Sequence, residues 1–135
     1  TAYGEGKILP GKEILSLDVD ILITAAIPDL IKKEDVEKIK AKLIVQGSNI
    51  PTTPETEEEL HKKGILVVPD FVANAGGVIS SYAEYKGKTK EEMFKLVEKK
   101  IRVNTEKVLK LSKQKGIKPR DAAMEIAVER VKSAI

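Results

Sequence analysis

Three short apolar runs, DILIT (20–24), LIVQ (43–46) and ILVV (65–68), alternate with segments of helical character through short turns. That alternation constrains the chain more than any other feature. Strand, helix, strand, helix, strand with short connections is a βαβαβ unit, which closes as a parallel sheet with right-handed crossovers. The punctuation agrees with it. Thr53 stands as N-cap before Pro54 in the first helical position, Glu55, Glu57 and Glu58 complement the positive helix end, and Gly64 stops the helix. DILIT runs into the small residues Ala25 and Ala26 and reads as a strand buried on both faces. The first crossover, 33–40, reads as a short charged helix with Val36 and Ile39 on one side.

The stretch VVPDFVANAGGVISSYAEYKG (67–87) holds the unusual local chemistry. Asn74, Gly76 and Gly77 open roughly three helical turns that Gly87 closes. Glycine inside a helix costs about 1 kcal/mol relative to alanine, so a pair of them needs a reason. Close approach of a ligand is one; tight packing of the helix on its sheet is another. On this helix Gly77, Val78, Ser81 and Glu84 share a face that offers bare backbone, one small apolar contact and one hydroxyl.

In a parallel α/β sheet, ligands bind beyond the carboxyl ends of the strands. Here those ends are Thr24-Ala25-Ala26, Gly47-Ser48-Asn49 and residues 70–74, all small, neutral or amide-bearing apart from Asp70. They suit a flat ligand with amide and hydroxyl groups, such as a nicotinamide ribose, and they do not suit a metal ion. Asn49 and Asn74 each offer one acceptor and two donors, enough to orient a carboxamide. Local roles compete: Asn74 as the N-cap of its helix, Asn49 as a turn former before Pro51.

The last third is helical. Thr89 and Glu92 form a capping box, Met93, Val97, Ile101, Val108 and Leu111 make an apolar stripe, and Gly116 ends it. Pro119 starts a second helix with Ala123, Ile126, Ala127, Val131 and Ala134 expected to face inward. A chain of 135 residues fits one domain. There are no cysteines, and the lone His61 sits in a charged helix and reads as solvated, so no metal site is expected. The net charge of +3 comes from lysines interleaved with glutamates, and only 4% of residues are aromatic, which argues against a nucleic-acid platform. No apolar run approaches the roughly 20 residues of a membrane span, so a cytoplasmic protein with no membrane contact is expected.

The segments DILITAA (20–26), KLIVQGSNIPTTPE (42–55), GILVVPDFVANAGGVISSYAEY (64–85) and PRDAAMEIAVERVKSA (119–134) closely resemble the carboxyl-terminal part of glutamate dehydrogenases. NAGGV is shared with leucine, valine and phenylalanine dehydrogenases, whereas NIPTTPE followed by SSYAEY resembles the glutamate branch. The resemblance implies half of a Rossmann-type parallel sheet of three strands, followed by carboxyl-terminal helices. In domain terms that is a single partial NAD(P)-binding domain over 1–135, with the βαβαβ unit and glycine helix at 19–88 and the terminal helices at 89–135. It implies NAD or NADP as cofactor, with Ala25, Ala26, Asn49 and Asn74 on the cofactor. Gly77, Val78 and Asn74 would frame the substrate, and Ser81 would bind the distal carboxylate of glutamate. The implied reaction is oxidative deamination of L-glutamate to 2-oxoglutarate and ammonia, in a homo-oligomer or with an amino-terminal part.

Departures accompany the likeness. Gln46-Gly47-Ser48-Asn49 stands where the family usually has EGAN, Ile50 where it has Gly, Ala83 where an aromatic is common and Ile79 where it has Thr. No GxGxxG turn follows a first strand; Gly4-x-Gly6 reads as loop. The family's catalytic lysine and aspartate match nothing here, so no catalytic residue is assigned and the chain is expected to be inactive alone. The alternative is a non-catalytic nucleotide- or partner-binding α/β module.

Overall fold

A computed structural model describes residues 8–134; the Gly4-x-Gly6 pair lies outside them. Strands β1 (Ile21–Thr24), β2 (Leu43–Gln46) and β3 (Leu66–Val68) form one parallel sheet in the order β1-β2-β3. The register pairs Thr24 with Gln46 and Val45 with Val68, so all three strands end at nearly the same level. A one-residue slip would turn every side chain to the other face. The strand order is that of the expected half of a Rossmann-type sheet.

One face of the sheet is closed. Leu22, Ile44 and Val67 point into a core with Leu15 and Val36 from two 3-10 segments (Gly11–Ser16 and Lys33–Lys38), Leu60 from helix α1 (Pro54–Lys62), and Ile31 and Ile39, which flank the second 3-10 segment. The first crossover is thus 3-10 rather than α. Its end is closed by an i→i−3 bond, the Ile39 N–H donating to the Val36 carbonyl at 3.2 Å. Lys63 finishes that crossover. Its Nζ donates to the carbonyls of Val36, Glu37 and Ile39 at 2.8, 2.8 and 3.1 Å, at the end of the 3-10 turn.

The other face is only half covered. Helix α2 (Asp70–Ala73), helix α4 (Lys90–Lys115) and helix α5 (Pro119–Lys132) pack over β3 and β2 through Val68, Val72, Val108, Ala122 and Ala123. Among the described residues nothing packs over β1 on this face. Ile21 and Ile23 are 54% and 64% exposed, which corrects the expectation of a strand buried on both faces. Alternation, rather than the apolar run itself, tells which face of β1 meets the core: Leu22 and Thr24 are buried, their neighbours are not. On α5, Ala123 and Ile126 face inward as expected, but Ala127, Val131 and Ala134 are exposed because the helix runs past the sheet. His61 is exposed on α1. Among the described residues no helix is long and apolar enough to cross a membrane, and no group of three or more acidic, His or Cys side chains could hold a metal ion.

The caps follow the sequence closely. Thr53 Oγ1 accepts from the Thr56 N–H at 3.3 Å, and Thr89 with Glu92 forms the reciprocal box at the start of α4. Helix α3 (Gly76–Tyr85) leans on α4 and carries the double glycine to the open end of the sheet.

Candidate functional site

At the carboxyl ends of the strands an open cleft of about 650 Å³ runs between the tips of β1 and β2 and the first turns of α3. Ala25, Ala26 and Pro28 line it from the loop after β1, and Gly47, Ser48 and Asn49 from the loop after β2. Asn74, Gly77, Val78 and Ser81 close its third side. Every residue singled out from the sequence for cofactor or substrate contact therefore borders one space. None of these lining side chains is charged.

Local packing explains how each arrives there. Gly47 lets the two strand tips close up, since a Cβ there would stand 3.1 Å from the Ala25 Cβ and 3.4 Å from the Thr24 carbonyl oxygen. Ser48 ties the tips together. Its N–H donates to the Thr24 carbonyl at 2.7 Å, and its Oγ donates to the same carbonyl at 3.1 Å. That hydroxyl gives a structural use to the Ser found where the family usually has Ala.

Asn74 does not cap α3. It closes the preceding turn, α2, where its N–H donates to the Asp70 carbonyl at 2.7 Å, and Ala75 occupies the N-cap position of α3 without any side-chain cap. The capping reading of Asn74 is overturned because one turn of helix intervenes between β3 and the glycines. Its side chain is left for the cleft, and its Nδ2 donates to Asn49 Oδ1 at 2.6 Å. Two carboxamides from different strand ends are thereby joined, with Asn49 exposed and Asn74 half-buried.

The double glycine is not a packing requirement. A Cβ on Gly77 would meet nothing within 4 Å, and one on Gly76 would only touch Val97 Cγ1 at 3.4 Å, an ordinary contact. Of the two readings of the glycines, tight helix–sheet packing is the one the geometry does not support. Val78 is 78% exposed one residue further on, an apolar side chain facing the cleft with nothing over it. Ser81 Oγ donates to the Gly77 carbonyl at 3.1 Å, parked on its own helix with both lone pairs still open.

Behind the cleft lies a cluster that the sequence reading passed over. Arg120, in the first turn of α5, donates through Nε to Glu57 Oε2 at 2.7 Å, and through Nη2 to Asp70 Oδ1 at 2.9 Å and Gln46 Oε1 at 3.0 Å. Its guanidinium also lies over the Phe71 ring, 5.3 Å from the centroid. Gln46 Oε1 accepts the Asp70 N–H at 3.0 Å as well, and its Nε2 donates to Thr52 Oγ1 at 2.8 Å. An amide at position 46 can do both; a carboxylate could not donate. Asp70 Oδ2 accepts the Ile50 N–H at 2.9 Å. Burial pushes the Asp70 carboxyl up, but the Ile50 N–H and the Arg120 guanidinium outweigh it and hold the group below the usual aspartate range. Arg120 is disfavoured by burial too, and Glu57 and Asp70 more than restore its charge. No local pattern in the sequence signalled this cluster: Glu57, expected to complement the positive end of α1, points inward to Arg120, while Glu55 stays exposed.

Over residues 2–135 the sequence matches the family model for Glutamate/Leucine/Phenylalanine/Valine dehydrogenase. The chain belongs to this family. It is 47% identical to a glutamate dehydrogenase of Aeropyrum pernix over 96% of its own length and 33% of the relative's. It is 39% identical to the NADP-specific glutamate dehydrogenase of Saccharolobus shibatae over 98% of its own length. It spans about a third of the length of the curated dehydrogenases that it matches. Among solved structures, an L-tryptophan dehydrogenase from Nostoc punctiforme is 34% identical and superposes with a TM-score of 0.84, covering 91% of this chain and 37% of that one. The dehydrogenase family's sheet and helices are thus present here in three dimensions as well as in sequence.

Proposed function

We propose that this chain supplies the nicotinamide side of the cofactor cleft, and the substrate's distal contact, in an NAD(P)-dependent glutamate dehydrogenase that converts L-glutamate to 2-oxoglutarate and ammonia. The observation that carries the reading is the convergence of Asn49, Asn74 and Ser81 on one neutral cleft whose floor is unobstructed at Gly77. The curated relatives named glutamate dehydrogenase, two of them NADP enzymes, support the choice of substrate and cofactor class.

The residues fit such a ligand. Asn49 keeps both Nδ2 donors and Asn74 keeps its Oδ1 acceptor once their mutual bond is made, so the pair presents donor and acceptor side by side to a planar carboxamide. Bound there, a nicotinamide would accept hydride from the substrate carbon; the protein's share is to position and to exclude water. Gly77 lets the reacting groups approach the helix backbone. Val78 packs against the substrate chain and keeps water away. Ser81 swings its hydroxyl from the Gly77 carbonyl to donate to the distal carboxylate, a charge-assisted bond stronger than the one it leaves. No side chain lining the cleft titrates near neutrality, so the chain by itself is expected to bind without turning over.

The outer edge of β1, which ends the sheet, and its face with Ile21 and Ile23 exposed support a further part of the proposal: a second copy or an amino-terminal portion covers them. A hetero-hexameric glutamate dehydrogenase of Thermus thermophilus superposes with a TM-score of 0.81 at 26% identity, which makes assembly a fitting context.

Titration of the isotope-labelled chain with NADH, NADPH and ATP tests the reading. Shifts at Asn49, Asn74 and Ser81 with the nicotinamide nucleotides and not with ATP are expected. Equal response to all three would favour the non-catalytic nucleotide-binding module instead.

A further inference from the structure

Ile50 holds its backbone at φ +48°, in the left-handed region that a β-branched residue rarely adopts. Its side chain is 61% exposed, so packing does not hold it there. Two hydrogen bonds do. Its N–H donates to Asp70 Oδ2 at 2.9 Å, and its carbonyl accepts the Asp29 N–H at 2.9 Å. Asp70 is in turn held from the far side, by Arg120 on its Oδ1 and by Gln46 on its N–H. Directly before this kink stands Asn49, whose carboxamide meets Asn74, and Asn74 closes the helical turn that Asp70 begins. One residue therefore fixes both arms of the carboxamide pair: the arm after β2 through its carboxylate on the Ile50 N–H, and the arm after β3 through its backbone carbonyl, which accepts the Asn74 N–H.

We propose that Asp70 and Arg120 are positioning residues for the cleft, with Arg120 clamping Asp70 so that the strained Ile50 kink presents Asn49 to Asn74. The inference rests on the reading of the cleft as a nicotinamide site only for its consequence; the clamp itself stands on ligand-free geometry. Asp70 uses one oxygen for each donor. A carboxamide at position 70 keeps a single acceptor and turns an NH2 toward either Ile50 or Arg120, so the clamp cannot be kept whole.

The test follows the backbone amide of Ile50 and the side-chain amides of Asn49 and Asn74 by NMR in the full 135-residue chain without ligand. In Asp70→Asn the Ile50 amide is expected to exchange about tenfold faster, as loss of a hydrogen bond to a charged group implies, and the Asn74 side-chain signals to lose their hydrogen-bonded shift. Adding Ile50→Gly is expected to return the Asn49 and Asn74 signals toward wild type, because glycine takes the left-handed conformation unaided. A merely structural Asp70 predicts no such rescue. Should Asp70→Asn fail to fold, Arg120→Lys decides, since lysine keeps the charge but cannot bridge Glu57, Gln46 and Asp70 together. Folded variants with wild-type Asn49 and Asn74 signals, or a glycine that rescues nothing, overturn the proposal. If the clamp behaves as stated and nicotinamide mononucleotide leaves the wild-type Asn49 and Asn74 signals unmoved, the positioning role stands and the nicotinamide reading falls.

Discussion

Asn49 and Ile50 are adjacent, yet one faces a neutral open cleft and the other hangs on a buried ion cluster. The cleft side is made of alanines, glycines, carboxamides, two hydroxyls, Pro28 and Val78, mostly exposed and loosely bonded. The cluster side joins Arg120, Glu57, Asp70 and Gln46 across four elements, with Glu57 and Gln46 at 2% and 0% exposure. The contrast shows a division of labour at the strand ends. Groups that would meet a ligand are weakly committed to the protein, while the groups that place them are buried and multiply bonded. Removing a group from the first set should change binding and spare stability; removing one from the second should do the reverse first.

The largest effect that could break this contrast is on the cluster. Arg120→Met leaves the Glu57 and Asp70 carboxylates buried without their cation, and a loss of roughly 3 kcal/mol or more in urea unfolding is expected. An unchanged midpoint would erase the distinction between the two sides. On the cleft side, Ser81→Ala should alter unfolding by less than about 0.5 kcal/mol. Under the proposed function, in a dehydrogenase containing this chain, it should lower kcat/KM for glutamate by about 2 kcal/mol, near thirtyfold, with little effect on a substrate lacking the distal carboxylate. Equal losses on both substrates would remove Ser81 from the specificity role.

Acid sharpens the comparison further. The folded Asp70 carboxyl lies below its ordinary value of 3.8, so its contribution is complete above that value and is lost as pH falls through the folded pKa. Unfolding measured from pH 7 down into the acid range below 3.8 should therefore show wild type losing stability that Asp70→Asn does not lose. The smallest effect has the opposite sign. Gly77→Ala should stabilise α3 by about 0.5 to 1 kcal/mol, because the new methyl meets nothing and the helix gains propensity, and it should weaken nicotinamide binding. A destabilised Gly77→Ala would restore the packing explanation of the glycines.

Much of the fold was legible in the letters. The three strands, the Thr53 cap ahead of Pro54 and the Thr89–Glu92 box all rest on interactions within a few residues, and such interactions leave local patterns. The strand-end residues of the candidate site were legible for a related reason: parallel topology dictates that the tips lie side by side. What went astray is equally physical. Whether β1 is covered depends on what packs over Ile21 and Ile23, and no residue near them encodes it. The inward face expected of Ala127, Val131 and Ala134 failed because a periodic stripe shows that a helix has a face and not how far its partner extends.

The sequence by itself determined the order of strands and helices, the caps, the parallel tips and the neutral residues set at them, since each follows from neighbours in the chain or from chain direction. Only the tertiary structure decided that Asn74 meets Asn49 from 25 residues away, that nothing crowds Gly77, and that Arg120 reaches Asp70 from 50 residues away. Those facts depend on distances between segments remote in sequence. A guanidinium with five donors gives no sign, as a letter, of which carboxylates the fold will bring to it.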